Sequence, residues 1–164
     1  MIYYNINIIM NTNKIIMKQF EKYNKDPLDN LTIEPPDDIF NWKFILVGPK
    51  DTPWENEIFS GTIKFPMNYP FSPPNVKFTS KIFHPNIYND GKICISILHE
   101  GKDQYGYEDS SERWSPVQTI QTIFLSILTL FHDPNCDSPA NVDASVMYRR
   151  DKLEFIRYVR NLTK

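Results

Sequence analysis

Apolar and polar positions recur along this chain with two different periods. From Thr12 to Tyr23, residues Ile15, Ile16, Gln19, Phe20 and Tyr23 fall on one face at helical spacing. Lys14, Lys18 and Lys22 line another face, so the segment is predicted to be an amphipathic helix. Asp26-Pro27 stops it, because the residue before a proline is driven out of the helical region. The period then falls to two. Phe40 to Val47 alternates around Trp42, Phe44 and Leu46 and is broken by Gly48-Pro49. Ile58 to Phe65 alternates in the same way, Val76 to Thr79 is a short run, and a weaker first strand lies at Leu31 to Ile33. Short links between these runs predict an antiparallel meander.

The segment from Pro66 to Pro74 holds Pro66, Pro70, Pro73 and Pro74 and cannot be helix or central strand. It is predicted to be a rigid loop displaying Tyr69 and Phe71. Residues 80–93 read as irregular, and Glu100 to Glu112 as an exposed polar loop. Ser115-Pro116 is predicted to open the next helix, with Ser at the N-cap and Pro in the first turn. Ile120, Ile123, Phe124, Ile127, Leu128 and Phe131 give that helix its apolar face, and Asp133-Pro134-Asn135 ends it. One or two short helices follow over Asp143 to Asn161. Helices segregated from a meander make the class α+β.

Composition narrows this picture. A chain of 164 residues with no linker or repeat is one domain, long enough to bury its own core. Basic and acidic residues number 18 and 20, so nothing calls for nucleic acid or an anionic membrane as partner. The two cysteines, Cys94 and Cys136, are too few for a secreted disulfide scaffold. No run approaches the ~18 apolar residues of a membrane span. Residues 1–11, rich in Asn and Ile, are set apart as an N-terminal extension that lacks signal-peptide features.

One thiol carries candidate chemistry. His84-Pro85-Asn86 opens a polar segment that runs through Asn89-Asp90-Gly91 to Cys94, and Ile95, Ile97 and Leu98 follow. Fully extended, the eight-residue step from Asn86 to Cys94 would span roughly 26 Å. The Asn-Asp-Gly turn folds them back, so the Asn86 amide is expected near Cys94 as a donor to an oxyanion. No general base accompanies the thiol. His84 precedes a proline and reads as a fixed loop residue, His99 lies five residues beyond Cys94, and His132 is distant. A weakly activated thiol attacks plain amides poorly. It readily accepts an acyl group already held as a thioester, because that exchange is nearly isoenergetic. The residues point to acyl carrying rather than proteolysis. Cys136 reads as a loop thiol.

Several motifs occur in a fixed order: Tyr69-Pro70-Phe71-Ser72-Pro73-Pro74, His84-Pro85-Asn86, Cys94-Ile95-Ser96-Ile97-Leu98, Trp114-Ser115-Pro116, and Asp133-Pro134-Asn135 with Ala140-Asn141-Val142-Asp143-Ala144. With them the chain resembles the ubiquitin-conjugating enzymes. The insert Glu100 to Arg113 is similar to that of the subgroup with a long acidic loop, the G-type enzymes of the yeast Ubc-seven kind. The resemblance implies an α+β ubiquitin-conjugating (UBC-like) fold: N-terminal helix, four-stranded antiparallel meander, active-site loop and C-terminal helices. The core domain is then 12–164. Cys94 would accept the C-terminal glycyl group of ubiquitin from the ubiquitin-activating enzyme. It would pass it to a lysine of a protein substrate or of ubiquitin, with a ring-type ligase. ATP is consumed by the activating enzyme, so no cofactor and no metal are expected.

The resemblance also assigns residues. Asn86 takes an oxyanion or loop-ordering role, and His84, Pro85 and Ser138 are structural neighbours of the site. His99 gates the same face. Asp103, Glu108 and Asp109 are candidates to orient the acceptor lysine, whose reference pKa near 10.4 means its amine must be helped to lose a proton. Phe71, Pro73, Trp114, Ser115 and Pro116 match ligase-contact loops, completed by Lys14 and Lys18, and Leu125 matches a position that holds donor ubiquitin. By analogy alone, the setting is cytoplasmic, at the cytosolic face of the endoplasmic reticulum, and nuclear, in proteasomal degradation. The departures are Met17 before Lys18, Ser138 where many relatives carry Asp, no proline after Glu100, and the extension. Three alternatives stay open at this point. They are a conjugating enzyme for a ubiquitin-like modifier, an inert ubiquitin-binding variant (disfavoured by Cys94), and a cysteine protease (disfavoured by the missing base).

Overall fold

The helix predicted over Thr12 to Tyr23 runs further in both directions, and α1 spans Ile2–Lys25. The computed structural model describes residues 2–104, 106 and 108–162, and of residues 2–10 the backbone alone. Met1 of the extension, Tyr105 and Tyr107 of the acidic loop, and Thr163 and Lys164 lie outside the described residues. The inward face of α1 is the predicted one. Ile16 and Tyr23 are buried, Ile15 and Phe20 pack half-buried against them, and Lys14, Lys18 and Lys22 are exposed. The Tyr23 hydroxyl donates to the Leu31 carbonyl and fastens the helix to the first strand.

β1 (Leu31–Ile33), β2 (Asn41–Val47), β3 (Ile58–Lys64) and β4 (Asn75–Phe78) pair antiparallel in chain order, as the alternation predicts. Cross-strand partners Trp42 and Ile63, and Leu46 and Phe59, all point inward. Gly61 lies opposite Phe44, where a Cβ would meet the Phe44 ring at 2.2 Å, so only glycine leaves room for that ring. α2 (Ile120–His132) lies over this face with Ile120, Ile123, Phe124, Ile127 and Phe131 buried. Phe124 meets Phe44 edge to face at 4.9 Å between centroids. α3 (Val142–Arg150) and α4 (Lys152–Leu162) close the end of the core around Trp54, which no solvent reaches.

Two sequence expectations need correction. The first concerns the start of α2, which is at Ile120 and not at Ser115-Pro116. Thr119 is the N-cap: its hydroxyl accepts from the Thr122 amide at 3.2 Å, and its own amide donates to the Thr122 hydroxyl at 2.9 Å. This reciprocal capping box satisfies two orphan donors where a lone Ser cap would satisfy one. Ser115 instead closes a turn, its carbonyl accepting from Gln118 at 3.1 Å. The second concerns the proline-rich loop, which displays Phe71, 73% exposed, but not Tyr69, which is 1% exposed. The Tyr69 ring is packed between Phe65 and Trp114, and burial raises its hydroxyl pKa to about 12.

Candidate active site

Residues 86–94 form a tight hairpin, as the Asn-Asp-Gly signal predicts. The Cys94 amide donates to the Asn86 carbonyl at 2.9 Å, Ile87 bridges Ile93, and the Gly91 amide donates to the Tyr88 carbonyl at 2.8 Å. Gly91 has φ +88°, and a Cβ there would meet the Phe78 carbonyl oxygen at 2.0 Å. A turn followed by a left-handed residue is a hairpin form that needs glycine. The Asp90 carboxylate accepts from the Lys92 amide and from the Lys77 ammonium, both at 3.0 Å, and these bonds lower its pKa. The hairpin leaves Cys94 partly exposed at its end.

Asn86 is buried, and its side chain pairs with the backbone of Asn135 in both directions. Nδ2 donates to the Asn135 carbonyl at 2.7 Å, and Oδ1 accepts from the Asn135 amide at 2.9 Å. The Asn135 side chain accepts from the amides of Asp137 at 3.1 Å and Ser138 at 3.3 Å, so the clamp reaches Ser138. A primary amide carries two N–H donors. One of the two on Asn86 goes to Asn135, and Asn86 also lines the cavity beside Cys94.

His84 is fully buried and stacked on Trp54 at 4.5 Å. Its Nδ1 accepts from the Asn86 amide at 2.9 Å, so Nε2 carries the proton and donates to the Leu130 carbonyl at 3.0 Å. Burial drives its pKa down to about 3, the bond to Leu130 opposing only in part. His84 is therefore neutral, with both nitrogens in use, and holds the start of the hairpin. Pro85 beside it is buried, and its carbonyl accepts from the Asn141 amide at 2.9 Å.

A cavity of about 440 Å³ opens beside Cys94, walled by Asn86, Ser96, His99, Asp103, Glu108, Glu112, Arg113 and Ser138 among others. The acidic loop is folded onto it. Glu108 accepts from Ser96 Oγ at 2.9 Å, from His99 Nδ1 at 2.8 Å and from the Arg113 guanidinium. Partial burial would raise the Glu108 pKa. Hydrogen bonds from His99 and Ser96, with the charges of His99 and Arg113, prevail and lower it. Arg113 also donates to the carbonyls of Gly101 at 2.7 Å and Glu100 at 2.9 Å. The Trp114 amide donates to the His99 carbonyl at 3.0 Å and closes the base of the loop. Asp103 accepts from the Glu108 amide at 2.9 Å. Asp109 is exposed, caps its own turn at Ser111, and does not line the cavity.

The other predicted contact residues separate into two kinds. Phe71, Pro116, Lys14, Lys18 and Leu125 are exposed, and Pro73 and Ser115 are half-buried. Trp114 is buried, and its indole N–H donates to the Pro70 carbonyl at 2.9 Å. It braces the proline-rich loop from behind and offers little surface.

Several residues escaped the sequence reading. Tyr88 is the nearest: the charge of a Cys94 thiolate and its hydrogen bond raise the phenol pKa, with burial and Asp90 adding to the effect. An aromatic side chain inside the turn was the available signal. Arg113 was signalled as the cation closing an acidic insert. Asn135 stood in the Asp133-Pro134-Asn135 motif, but its pairing with Asn86 runs through its backbone, which residue identity does not record. Val117, exposed beside Pro116, was hidden inside the mistaken helix start.

Comparison with known proteins agrees with the geometry. The family model described as ubiquitin-conjugating enzyme matches residues 15–163. The chain is 45% identical over 152 residues to ubiquitin-conjugating enzyme E2-18 kDa of Schizosaccharomyces pombe, covering 91% of this chain and 92% of that protein. It is 42% identical over 154 residues to ubiquitin-conjugating enzyme E2 G2 of Homo sapiens, covering 92% and 93%. Ubiquitin-conjugating enzyme E2 14 of Arabidopsis thaliana is 45% identical over 148 residues, with 88% and 89% covered. With its α+β fold, its hairpin thiol and these matches across nearly its whole length, the chain belongs to the ubiquitin-conjugating enzyme family, in its G-type subgroup.

Proposed function

We propose that Cys94 is the thiol that carries ubiquitin as a glycyl thioester, taken from the ubiquitin-activating enzyme and passed to a lysine amine with a ring-type ligase. The observation that carries this reading is a partly exposed thiol at an acid-lined cavity, with no hydrogen bond to an imidazole among the described residues. Both nitrogens of His84 are engaged, and His99 Nδ1 is engaged with Glu108. Such a site exchanges one thioester for another and leaves amides intact. Asn86 orders the hairpin through Asn135, and its second amide proton is the donor we assign to the oxyanion.

Asp103, Glu108 and Glu112 around the cavity supply the negative charge that draws a lysine ammonium in; Asp109 has no such position. No cofactor is required, since ATP is spent by the activating enzyme. Phe71, Pro116 and Val117 form the exposed part of the ligase surface, with Lys14 and Lys18 on α1, and Leu125 on α2 contacts donor ubiquitin. No helix among the described residues is long and apolar enough to cross a membrane. By analogy with the family alone, we place the enzyme in the cytosol and the nucleus. Work in proteasomal degradation at the cytosolic face of the endoplasmic reticulum fits a chain similar to E2 G2. A charging assay with activating enzyme, ATP and a panel of modifiers tests the reading. Ubiquitin should give a reductant-sensitive adduct, and exclusive charging by another modifier would refute the assignment to ubiquitin.

A further inference from the structure

The acidic loop starts and ends on one short segment of the proline-rich loop. At its start, the exposed Glu100 carboxylate accepts from Ser72 Oγ at 2.8 Å. At its end, the Trp114 indole N–H donates to the Pro70 carbonyl at 2.9 Å. Bonds within the loop, from Arg113 to Glu100, Gly101 and Glu108, fix its shape. They leave open where its first residues sit on the domain. Ser72 supplies that reference, and from a stiff base. Asn68 Nδ2 donates to Ser72 Oγ at 2.7 Å, and the Phe71 amide donates to the Asn68 carbonyl at 2.9 Å. Residues 68–72 are thus a turn closed on itself, with Pro70 inside it and Pro73-Pro74 after it. Because Ser72 Oγ accepts from Asn68, its single proton is directed at Glu100. No cation is ion-paired with Glu100 among the described residues, so the hydroxyl holds the carboxylate.

We infer that Ser72 is a positioning residue for lysine capture: through Glu100 it seats the acidic loop, and with it Asp103, at the cavity beside Cys94. This rests on Cys94 being the thioester site and on the acids of the cavity drawing the lysine in. The link is short. Asp103, three residues after Glu100, lines the cavity and accepts from the Glu108 amide at 2.9 Å. The pull of a carboxylate on an ammonium falls with distance. Releasing Glu100 therefore loosens the acids at the place where a lysine ammonium must arrive. One charge-assisted bond near the surface biases that placement without holding the fold.

The test is single-turnover discharge of the ubiquitin-charged full chain at pH 7 to two nucleophiles, each at low concentration. One is free lysine. The other is hydroxylamine, which is largely neutral at that pH and needs no carboxylate to draw it in. Ser72→Ala and Glu100→Ala should each slow discharge to lysine by about 5-fold, the worth of one such bond. The double variant should be no slower than either single one, because both remove the same contact. Ser72→Thr, which keeps the hydroxyl, should restore the rate. Discharge to hydroxylamine should stay at the wild-type rate in all four variants. Unchanged lysine discharge in Ser72→Ala would overturn the proposal, as would losses that multiply in the double variant or no recovery in Ser72→Thr. Equal slowing toward hydroxylamine would overturn it too, by placing the effect on the thioester rather than on lysine capture. Absence of any ubiquitin adduct on the wild type would instead refute the thioester reading, and the role of Ser72 with it.

Discussion

Asn86 grips Asn135 by both edges of its carboxamide, with bonds of 2.7 and 2.9 Å to the backbone carbonyl and amide. The clamp joins the Cys94 hairpin to the loop after α2, and Ser138 hangs from the same Asn135 side chain. Loop order and chemistry can be separated by substitution. Asn86→Ala leaves the Asn135 groups without their partners, which costs on the order of 2–4 kcal/mol for a buried pair of hydrogen bonds. Urea denaturation should show that loss. Discharge to free lysine should fall by about 100-fold or more if the second amide proton meets the oxyanion. Unchanged discharge in the destabilised variant would leave Asn86 with the ordering role alone.

His84 makes stability depend on pH. Its folded pKa, about 3, lies below the ordinary value of 6.5, so between these values the unfolded chain binds a proton that the folded chain refuses. The contribution is fully present above pH 6.5 and is lost as pH falls from there toward 3. Glu108 adds to the slope only at lower pH: its pKa is depressed, so its stabilisation is present above the ordinary carboxylate range and is lost as pH falls through its folded value. Denaturation series for wild type and His84→Gln should diverge in pH dependence between 6.5 and about 4.5, the variant being flatter though weaker at pH 7. Parallel curves would contradict the neutral buried imidazole.

Arg113 is the residue on which the acidic loop closes. Its guanidinium reaches the Glu100 and Gly101 carbonyls and the Glu108 carboxylate, a fork that a lysine cannot reproduce. In Arg113→Ala, amides of residues 100–104 and 108–113 should exchange with solvent at least about tenfold faster, each lost charge-assisted bond contributing roughly 1.5 kcal/mol or more. Charging by the activating enzyme should be unaffected and discharge to lysine slower. Arg113→Lys should recover little of either. Wild-type exchange in the alanine variant would mean that the loop is held elsewhere.

Phe71 and Trp114 sit in adjoining loops and should fail in opposite ways. Phe71→Ala removes an exposed ring, so stability should change by less than about 0.5 kcal/mol while ligase-stimulated discharge is lost. Trp114→Ala removes a buried ring that braces Pro70, and should cost about 3–5 kcal/mol in denaturant titrations. A stable Trp114→Ala protein lacking only ligase response would return Trp114 to the contact surface.

The sheet was legible because alternation at Trp42, Phe44 and Leu46 marks a half-buried strand wherever it is placed. The hairpin at Cys94 was legible because Asn-Asp-Gly encodes its own turn. What escaped is where one segment answers to another. Ser115-Pro116 has the local chemistry of a helix start, yet the reciprocal Thr119 and Thr122 bonds prevail. Tyr69 lies in a loop that the prolines place at the surface, yet Trp114, far along the chain, covers it. The Asn135 clamp is a backbone contact, and side-chain identity does not record it. Arg113 and Glu108 could be read as charged, but not as partners.

The most direct measurement is intact mass of the chain after incubation with activating enzyme, ATP and ubiquitin. We expect the mass of one ubiquitin to be added through a bond that reductant cleaves. Cys136→Ser should still form it, Cys94→Ser should give an adduct that resists reductant, and Cys94→Ala none. A reductant-sensitive adduct on Cys94→Ala, or its loss in Cys136→Ser, would contradict the assignment of Cys94.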